Sequence, residues 1–157
     1  MALHKKKTLA VVILAAGKGT RMESDLPKVL HEVGGKPMVS HVIQRAVELG
    51  AEEIISIIGY QHELVKETIA NEPTKFVLQL EQLGTGHAVL QCASQLSKFD
   101  GSILVLSGDV PLISFNTLQN LLETHDTCGT KATLLSAIVK DATGYGRVIR
   151  NPQVNLD

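Results

Sequence analysis

The sequence predicts an α/β fold, a mainly parallel sheet with helices on both faces. Three observations carry this. Apolar strand-like runs alternate with amphipathic helical ones along the chain. The first run, Leu9 to Ala16, is continuously apolar, as in a strand covered on both faces. Polar and glycine-bearing clusters follow three of the strand-like runs, at the carboxyl ends where open α/β sheets bind ligands.

The elements follow in order. Leu9 to Ala16 is the first strand. Pro37 to Leu49 reads as a helix, with Pro37 suited to the first turn and Gly50 to the position just past the end. Met38, Val42, Ala46 and Leu49 recur there at helical spacing. Glu53 to Ile58 is a β-branched strand, Gln61 to Ala70 a short helix, and Lys75 to Leu80 a third strand. Gly86 to Leu96 reads as a helix and Ser102 to Ser107 as a strand ending at Gly108-Asp109. Ser114 to Thr124 is a helix with Ser114 as its cap. Lys131 to Val139 reads as a strand, and Arg147 to Arg150 starts another.

The bulk numbers exclude several classes. At 157 residues the prior is one domain, with residues 1–8 as a flexible N-terminus ahead of 9–157. The chain is 44% hydrophobic with no Trp, so its core is aliphatic. A net charge of −1 argues against a nucleic-acid partner, and Lys5-Lys6-Lys7 reads as a solvated start. Leu9 to Ala16 is far too short to span a bilayer and leads into a glycine-and-charge loop, so neither a membrane span nor a signal peptide is read. Cys92 and Cys128 form no Cys-x-x-Cys, which fits a reducing, cytoplasmic setting. Cys92 falls in an apolar helical pattern and reads as a small core residue.

The chemistry starts at Leu14-Ala-Ala-Gly-Lys-Gly-Thr-Arg-Met22, followed by Pro27-Lys28. A strand that empties into a glycine turn offers backbone N–H groups to an anion. Arg21 can grip phosphate with two parallel hydrogen bonds, and Lys28 adds a mobile point charge. Taken alone, the glycines serve an ordinary strand-to-loop turn as readily as a ligand. Met22 stands where a dinucleotide fingerprint needs a third glycine, and no Gly-Lys-Ser/Thr closes a Walker A loop.

Asp109, at a strand's carboxyl end facing that loop, is a candidate magnesium ligand, although aspartates before proline more often serve turns. Gln79 can pair with both a donor and an acceptor on a base edge. Gly84 and Gly86 would let a flat ring approach the backbone, or would only make the turn. His87 reads as a capping or packing residue. No Gly-x-Ser-x-Gly elbow, thiol nucleophile or metal-spaced histidine set is present. Positioning, cations and a metal remain, and these suit phosphoryl or nucleotidyl transfer.

The glycine loop with Pro27-Lys28 resembles the signature of sugar nucleotidyltransferases. Further segments narrow the resemblance: Pro27-Lys-Val-Leu-His31, Gly34-Gly-Lys-Pro-Met38, Glu81-Gln-Leu-Gly-Thr-Gly-His-Ala88, Gly108-Asp-Val-Pro-Leu-Ile113 and Thr143-Gly-Tyr-Gly-Arg147. Together they are similar to the uridylyltransferase half of the bacterial bifunctional N-acetylglucosamine-1-phosphate uridylyltransferase / glucosamine-1-phosphate acetyltransferases, from about Leu9 to Arg150.

The resemblance implies a Rossmann-like, glycosyltransferase-A-like nucleotidyltransferase fold. It implies transfer of UMP from UTP to N-acetylglucosamine 1-phosphate with Mg2+ as cofactor. It places Leu14, Ala15, Ala16, Gly17 and Gln79 on the nucleotide, Gly84 and Thr85 on the nucleotide sugar, and Gly144 on the sugar. Arg21 and Lys28 become the catalytic phosphate-binding pair, Asp109 a magnesium ligand, and Gly108 a neighbour of the ribose. Ser107 stands where that family commonly carries an aromatic, which leaves it a backbone contact. The resemblance also implies a cytoplasmic enzyme, homotrimeric at full length, whose further sugar and metal residues and left-handed β-helix lie beyond Asp157; this chain alone is then a monomer, and its activity on its own is in question.

Overall fold

The computed structural model describes residues 8–19 and 22–149. They belong to two compact units, Met1–Ile113 and Ser114–Asp157. The first unit contains β1 (Thr8–Ala15), a 3-10 turn (Lys28–Leu30), β2 (Glu32–Val33), β3 (Lys36–Pro37) and α1 (Met38–Glu48). It continues with β4 (Glu53–Ile58), α2 (His62–Thr68), β5 (Lys75–Leu78), α3 (Thr85–Leu90), α4 (Ala93–Leu96) and β6 (Gly101–Ser107). The second unit contains α5 (Phe115–Cys128).

Four strands form one parallel sheet in the order β5-β4-β1-β6. The register sets Val12 beside Ile55 and Val105, and Leu14 beside Ile57 and Ser107. From β1 the chain steps outward through β4 to β5, then returns to the other side of β1 as β6. Right-handed crossovers therefore place α1 and α2 on one face and α3 and α4 on the other. The direction of winding reverses between β1 and β6, which makes the crevice beyond their carboxyl ends the expected ligand position.

Both pleats of β1 are buried, as its continuous apolar run requires. One pleat carries Val12, which joins Ile55, Ile57, Val77, Ala88 and Cys92 in one apolar cluster. The other carries Val11, Ile13 and Ala15, all buried, on the side against which α1 packs. Each fully buried Val, Leu or Ile contributes on the order of 2 kcal/mol by leaving water. Met38, Val42, Ala46 and Leu49 of the α1 stripe are buried as their spacing predicts. Ser56, inside the sheet, is satisfied by the Thr74 hydroxyl at 2.9 Å.

Several boundaries differ from the sequence reading. Pro37 belongs to β3 and caps α1 rather than opening its first turn. Gly34 and Gly35, with φ of +60° and +79°, turn the chain between β2 and β3, and the ring of His41 in α1 meets the Val33 carbonyl oxygen at 2.7 Å. The helix expected over Gly86 to Leu96 is broken into α3 and α4, because the Gln91 and Cys92 amides bond three residues back, to Ala88 and Val89. Lys131 to Val139 forms no strand. Its β-branched residues favour a pleated surface only where a neighbouring strand supplies cross-strand contacts, and none pairs with it. Arg147 to Ile149 likewise form none, and Arg150 lies outside the described residues. Gly144, with φ +78°, stands in a turn of the second unit.

Candidate active site

A cavity of about 360 Å³ opens beyond the carboxyl ends of the parallel strands. β1 sends Leu14, Ala16 and Gly17 to its wall, and β6 sends Ser107 and Asp109. Lys28 comes from the 3-10 turn, Gln79 and Gly84 from the segment joining β5 to α3, and Thr85 from the start of α3. Residues read separately along the sequence thus share one wall because parallel strands all end on the same side.

Glycine is required at two places, one in this wall and one packed against its residues Ala16 and Gln79. Gly19 has φ +70°, and a Cβ there would lie 2.5 Å from the Cβ of Lys28, so the loop closes over the lysine stem only without a side chain. At Gly59 a Cβ would lie 2.9 Å from both the Ala16 Cβ and the Gln79 carbonyl oxygen, so glycine lets the ends of β1, β4 and β5 converge. The Gln79 amide N–H donates to the Ile58 carbonyl oxygen at 2.8 Å, extending the β4–β5 ladder one residue past β5. Lys18 lies 5.2 Å from the centre of the Tyr60 ring, within cation–π range.

Lys28 Nζ meets Asp109 Oδ2 at 2.6 Å across the mouth of the cavity. Both side chains are about one-third exposed, so the pair is open to ligands that offer each group a better partner. Magnesium usually takes one or two carboxylates together with phosphate oxygens and water. A single Asp109 fits an ion held jointly with a nucleotide. Among the described residues no group of three or more His, Cys, Asp and Glu could hold an ion alone.

Gln79 is 4% exposed, yet its amide is well bonded. Its Nε2 donates to the Gly84 carbonyl oxygen at 3.2 Å and lies 3.0 Å from His87 Nδ1. Gln91 Nε2 lies 3.1 Å from the other ring nitrogen of His87 and 3.2 Å from its carbonyl oxygen. The His87 ring thus lies within hydrogen-bond distance of both Gln79 and Gln91. Its spacing of eight from Gln79, across a loop, gave no sequence signal.

Two expected contacts fall elsewhere. Ala15 is buried on the pleat opposite Leu14 and Ala16 and does not line the cavity. Gly108 is behind the wall, its N–H donating to the Leu14 carbonyl oxygen at 2.9 Å, so it fixes the β1–β6 crevice. Gly144 belongs to the second unit. Arg21 lies outside the described residues. Gly19, Val29, Gln82 and Ala88 also line the cavity; the sequence reading had Gly19 and Gln82 within its polar clusters without singling them out, and left out Val29 and Ala88. Gly19 was legible in the glycine loop; Val29 and Ala88 are apolar residues that look like core.

The comparisons with known proteins follow this geometry. A family model, the MobA-like NTP transferase domain, matches residues 11–142. The bifunctional protein GlmU of Geobacillus thermodenitrificans is 52% identical over 146 residues, 93% of this chain and 32% of that protein. GlmU of Syntrophomonas wolfei is 50% identical over 145 residues, 92% of this chain and again 32% of the relative. The chain thus spans about a third of the length of these curated relatives. A solved nucleotidyl transferase from Methanothermobacter thermautotroptrophicus superposes with a TM-score of 0.64 at 22% identity, covering 74% of this chain and 57% of the other. Rv0371c from Mycobacterium tuberculosis gives 0.67 at 19% identity, covering 78% and 63%. These two likenesses bear on the fold alone and agree with the Rossmann-like nucleotidyltransferase architecture. The resemblance to the uridylyltransferase half of the bifunctional bacterial enzymes agrees with the curated relatives. With the family model matching most of its length, the chain belongs to the MobA-like NTP transferase family of nucleotidyltransferase domains.

Proposed function

We propose that this chain is the nucleotide-holding part of an enzyme that transfers UMP from UTP to N-acetylglucosamine 1-phosphate, with magnesium. The products are UDP-N-acetylglucosamine and pyrophosphate, used in bacterial cell-envelope synthesis. The observation that carries the reading is the convergence of the glycine loop, Gln79 and the Lys28–Asp109 pair on one cavity at the β1–β6 switch point. The half-identity to GlmU proteins and the family model support sugar-nucleotide transfer, and the resemblance of the Glu81–Ala88 and Thr143–Arg147 segments supports the choice of sugar and base.

In this reading a phosphate oxygen of the sugar phosphate bonds to the α-phosphorus of UTP, the bond to the bridging oxygen breaks, and pyrophosphate leaves. No covalent bond to the protein is needed, so the residues bind and orient. The Gly17–Gly19 turn carries the phosphates past the end of β1. Lys28, with Arg21, neutralises phosphate charge. Asp109 would hold the magnesium, which when bound shares the negative charge of the phosphates. Leu14, Ala16 and Gln79 take the base, Ser107 lies by the ribose, and Gly84 and Thr85 serve the sugar side. The full-length protein is read as a cytoplasmic homotrimer.

Calorimetric titration with UTP, CTP and ATP in magnesium, followed by assay of pyrophosphate release with N-acetylglucosamine 1-phosphate, tests this. Preferential UTP binding and release of pyrophosphate are expected from the protein that contains this chain. Preference for another base would overturn the assignment of uridine. UTP binding without turnover by this chain alone would restrict it to holding the nucleotide.

A further inference from the structure

We propose that His87 is a positioning residue that locks the amide of Gln79 with its carbonyl oxygen free, so that the cavity selects a base whose edge presents an N–H donor. This rests on the reading of the cavity as a pyrimidine-nucleotide site.

The argument starts from Gly84. Its carbonyl oxygen can only accept, so the Gln79 atom 3.2 Å away must be the NH2 nitrogen. That fixes which end of the amide is which. The same nitrogen lies 3.0 Å from His87 Nδ1, so its second N–H needs Nδ1 as an acceptor. A neutral imidazole has one acceptor nitrogen, and an imidazolium has none. The Gln91 amide nitrogen, 3.1 Å from Nε2, competes for that capacity.

Burial decides the competition. Gln79 is nearly sealed and would be left with an unsatisfied buried donor. Gln91 is half-buried, already has the His87 carbonyl oxygen as an acceptor at 3.2 Å, and can turn its amide toward water. Nδ1 is therefore the acceptor turned to Gln79, which leaves the ring proton for Nε2.

The consequence lies at the front of the amide. With both N–H groups of Gln79 taken, its Oε1 is what remains for a ligand, and no described residue donates to it. An acceptor held in place pairs with the N3–H of uracil. It faces the lone pair of N3 in cytosine, a repulsive contact that rejects that base. Without His87, one N–H is released and the amide can turn partway to meet either base.

Two measurements test this. The first needs no nucleotide: 15N chemical shifts of the His87 ring, assigned by difference against His87→Asn. An unprotonated Nδ1 and a protonated Nε2 are expected; a protonated Nδ1 would overturn the lock. The second is the ratio of UTP to CTP affinity in wild type, His87→Ala and His87→Asn. His87→Ala should lower the ratio by about fivefold, mainly by improving CTP. His87→Asn, whose Oδ1 stands near the place of Nδ1, should restore it. An unchanged ratio in His87→Ala, even with both nucleotides weakened equally, makes His87 structural and sinks the proposal while the uridine reading stands. A wild type without preference for UTP sinks that reading and the proposal with it. Should His87→Ala fail to fold, loss of the ratio in His87→Asn decides against the lock.

Discussion

Lys28 Nζ and Asp109 Oδ2, 2.6 Å apart, join the turn after the glycine loop to the turn after β6. The pair bridges the two strands between which the sheet changes direction. Each member is also the group a magnesium nucleotide needs: the cation for phosphate, the carboxylate for metal. Binding in the proposed site therefore exchanges partners rather than creating two bare charges. Phosphate takes the lysine as metal takes the aspartate, so neither charge loses its partner.

The exchange predicts opposite effects from the two single substitutions. Lys28→Ala removes a charge-assisted phosphate contact and should weaken magnesium–UTP binding by about 10-fold to 100-fold. Asp109→Asn frees Lys28, so binding of metal-free UTP should hold or tighten while the gain from added magnesium disappears. Neither should change folding stability by more than about 1 kcal/mol, because the pair is partly solvated. Titrations with and without magnesium, beside thermal melts, check all three statements. Equal losses from both variants, with and without metal, would refute the exchange.

The two cysteines should differ sharply. Cys128 is exposed, whereas Cys92 is fully buried and burial pushes its thiol above the ordinary value of 9.0. Iodoacetamide on the native protein should add one label, at Cys128, and two in denaturant, as read by mass spectrometry. The raised thiol also has a sign in stability. Below 9.0 both folded and unfolded states keep the proton. Above it the unfolded chain loses its proton first, so stability falls as pH rises toward the folded value. Cys92→Ala should remove that share of the alkaline decline.

Ser114 caps α5, its hydroxyl accepting the Thr117 N–H at 3.1 Å. Ser114→Ala should cost about 1 kcal/mol of local stability. Faster hydrogen exchange at the Thr117 amide, with little change in the β-sheet amides, is the expected result. Unaltered exchange there would show that the cap contributes nothing.

Much of this was legible because it depends on local patterns. The apolar run of β1, the spacing of Met38, Val42 and Ala46, and Gly50 past the end of α1 all speak through nearest neighbours. The site was legible in outline for a topological reason: parallel strands bring their carboxyl ends together, so Gly17, Gln79 and Asp109 had to meet. The β2–β3 hairpin was missed although Gly34-Gly35 is a turn signal, since two-residue strands carry no periodicity to notice. Lys131 to Val139 misled because β composition does not supply a partner. The His87–Gln79 bond was invisible because it depends on where a loop returns, and no spacing encodes that.

Glycine substitutions separate the loop's ligand role from its structural one. At Gly17 an added Cβ meets nothing within 4 Å and the backbone φ is not positive, so Gly17→Ala brings no clash or strain. It should leave stability unchanged or raise it by about 0.4–1 kcal/mol through the unfolded chain. Its methyl would stand in the cavity wall where phosphates pass, so UTP affinity should fall. At Gly59 the added Cβ would press on Ala16 and on the backbone oxygens of Ala16 and Gln79, at 2.9–3.0 Å. Backbone cannot swing aside as a flexible side chain can, so Gly59→Ala should cost about 1–3 kcal/mol and displace both Ala16 and Gln79. Stability and nucleotide affinity should then fall together. Melting temperature and UTP affinity for the two variants give the comparison. A Gly17→Ala protein that binds UTP as wild type does would remove the turn from the phosphate path and leave Lys28 as the anion contact.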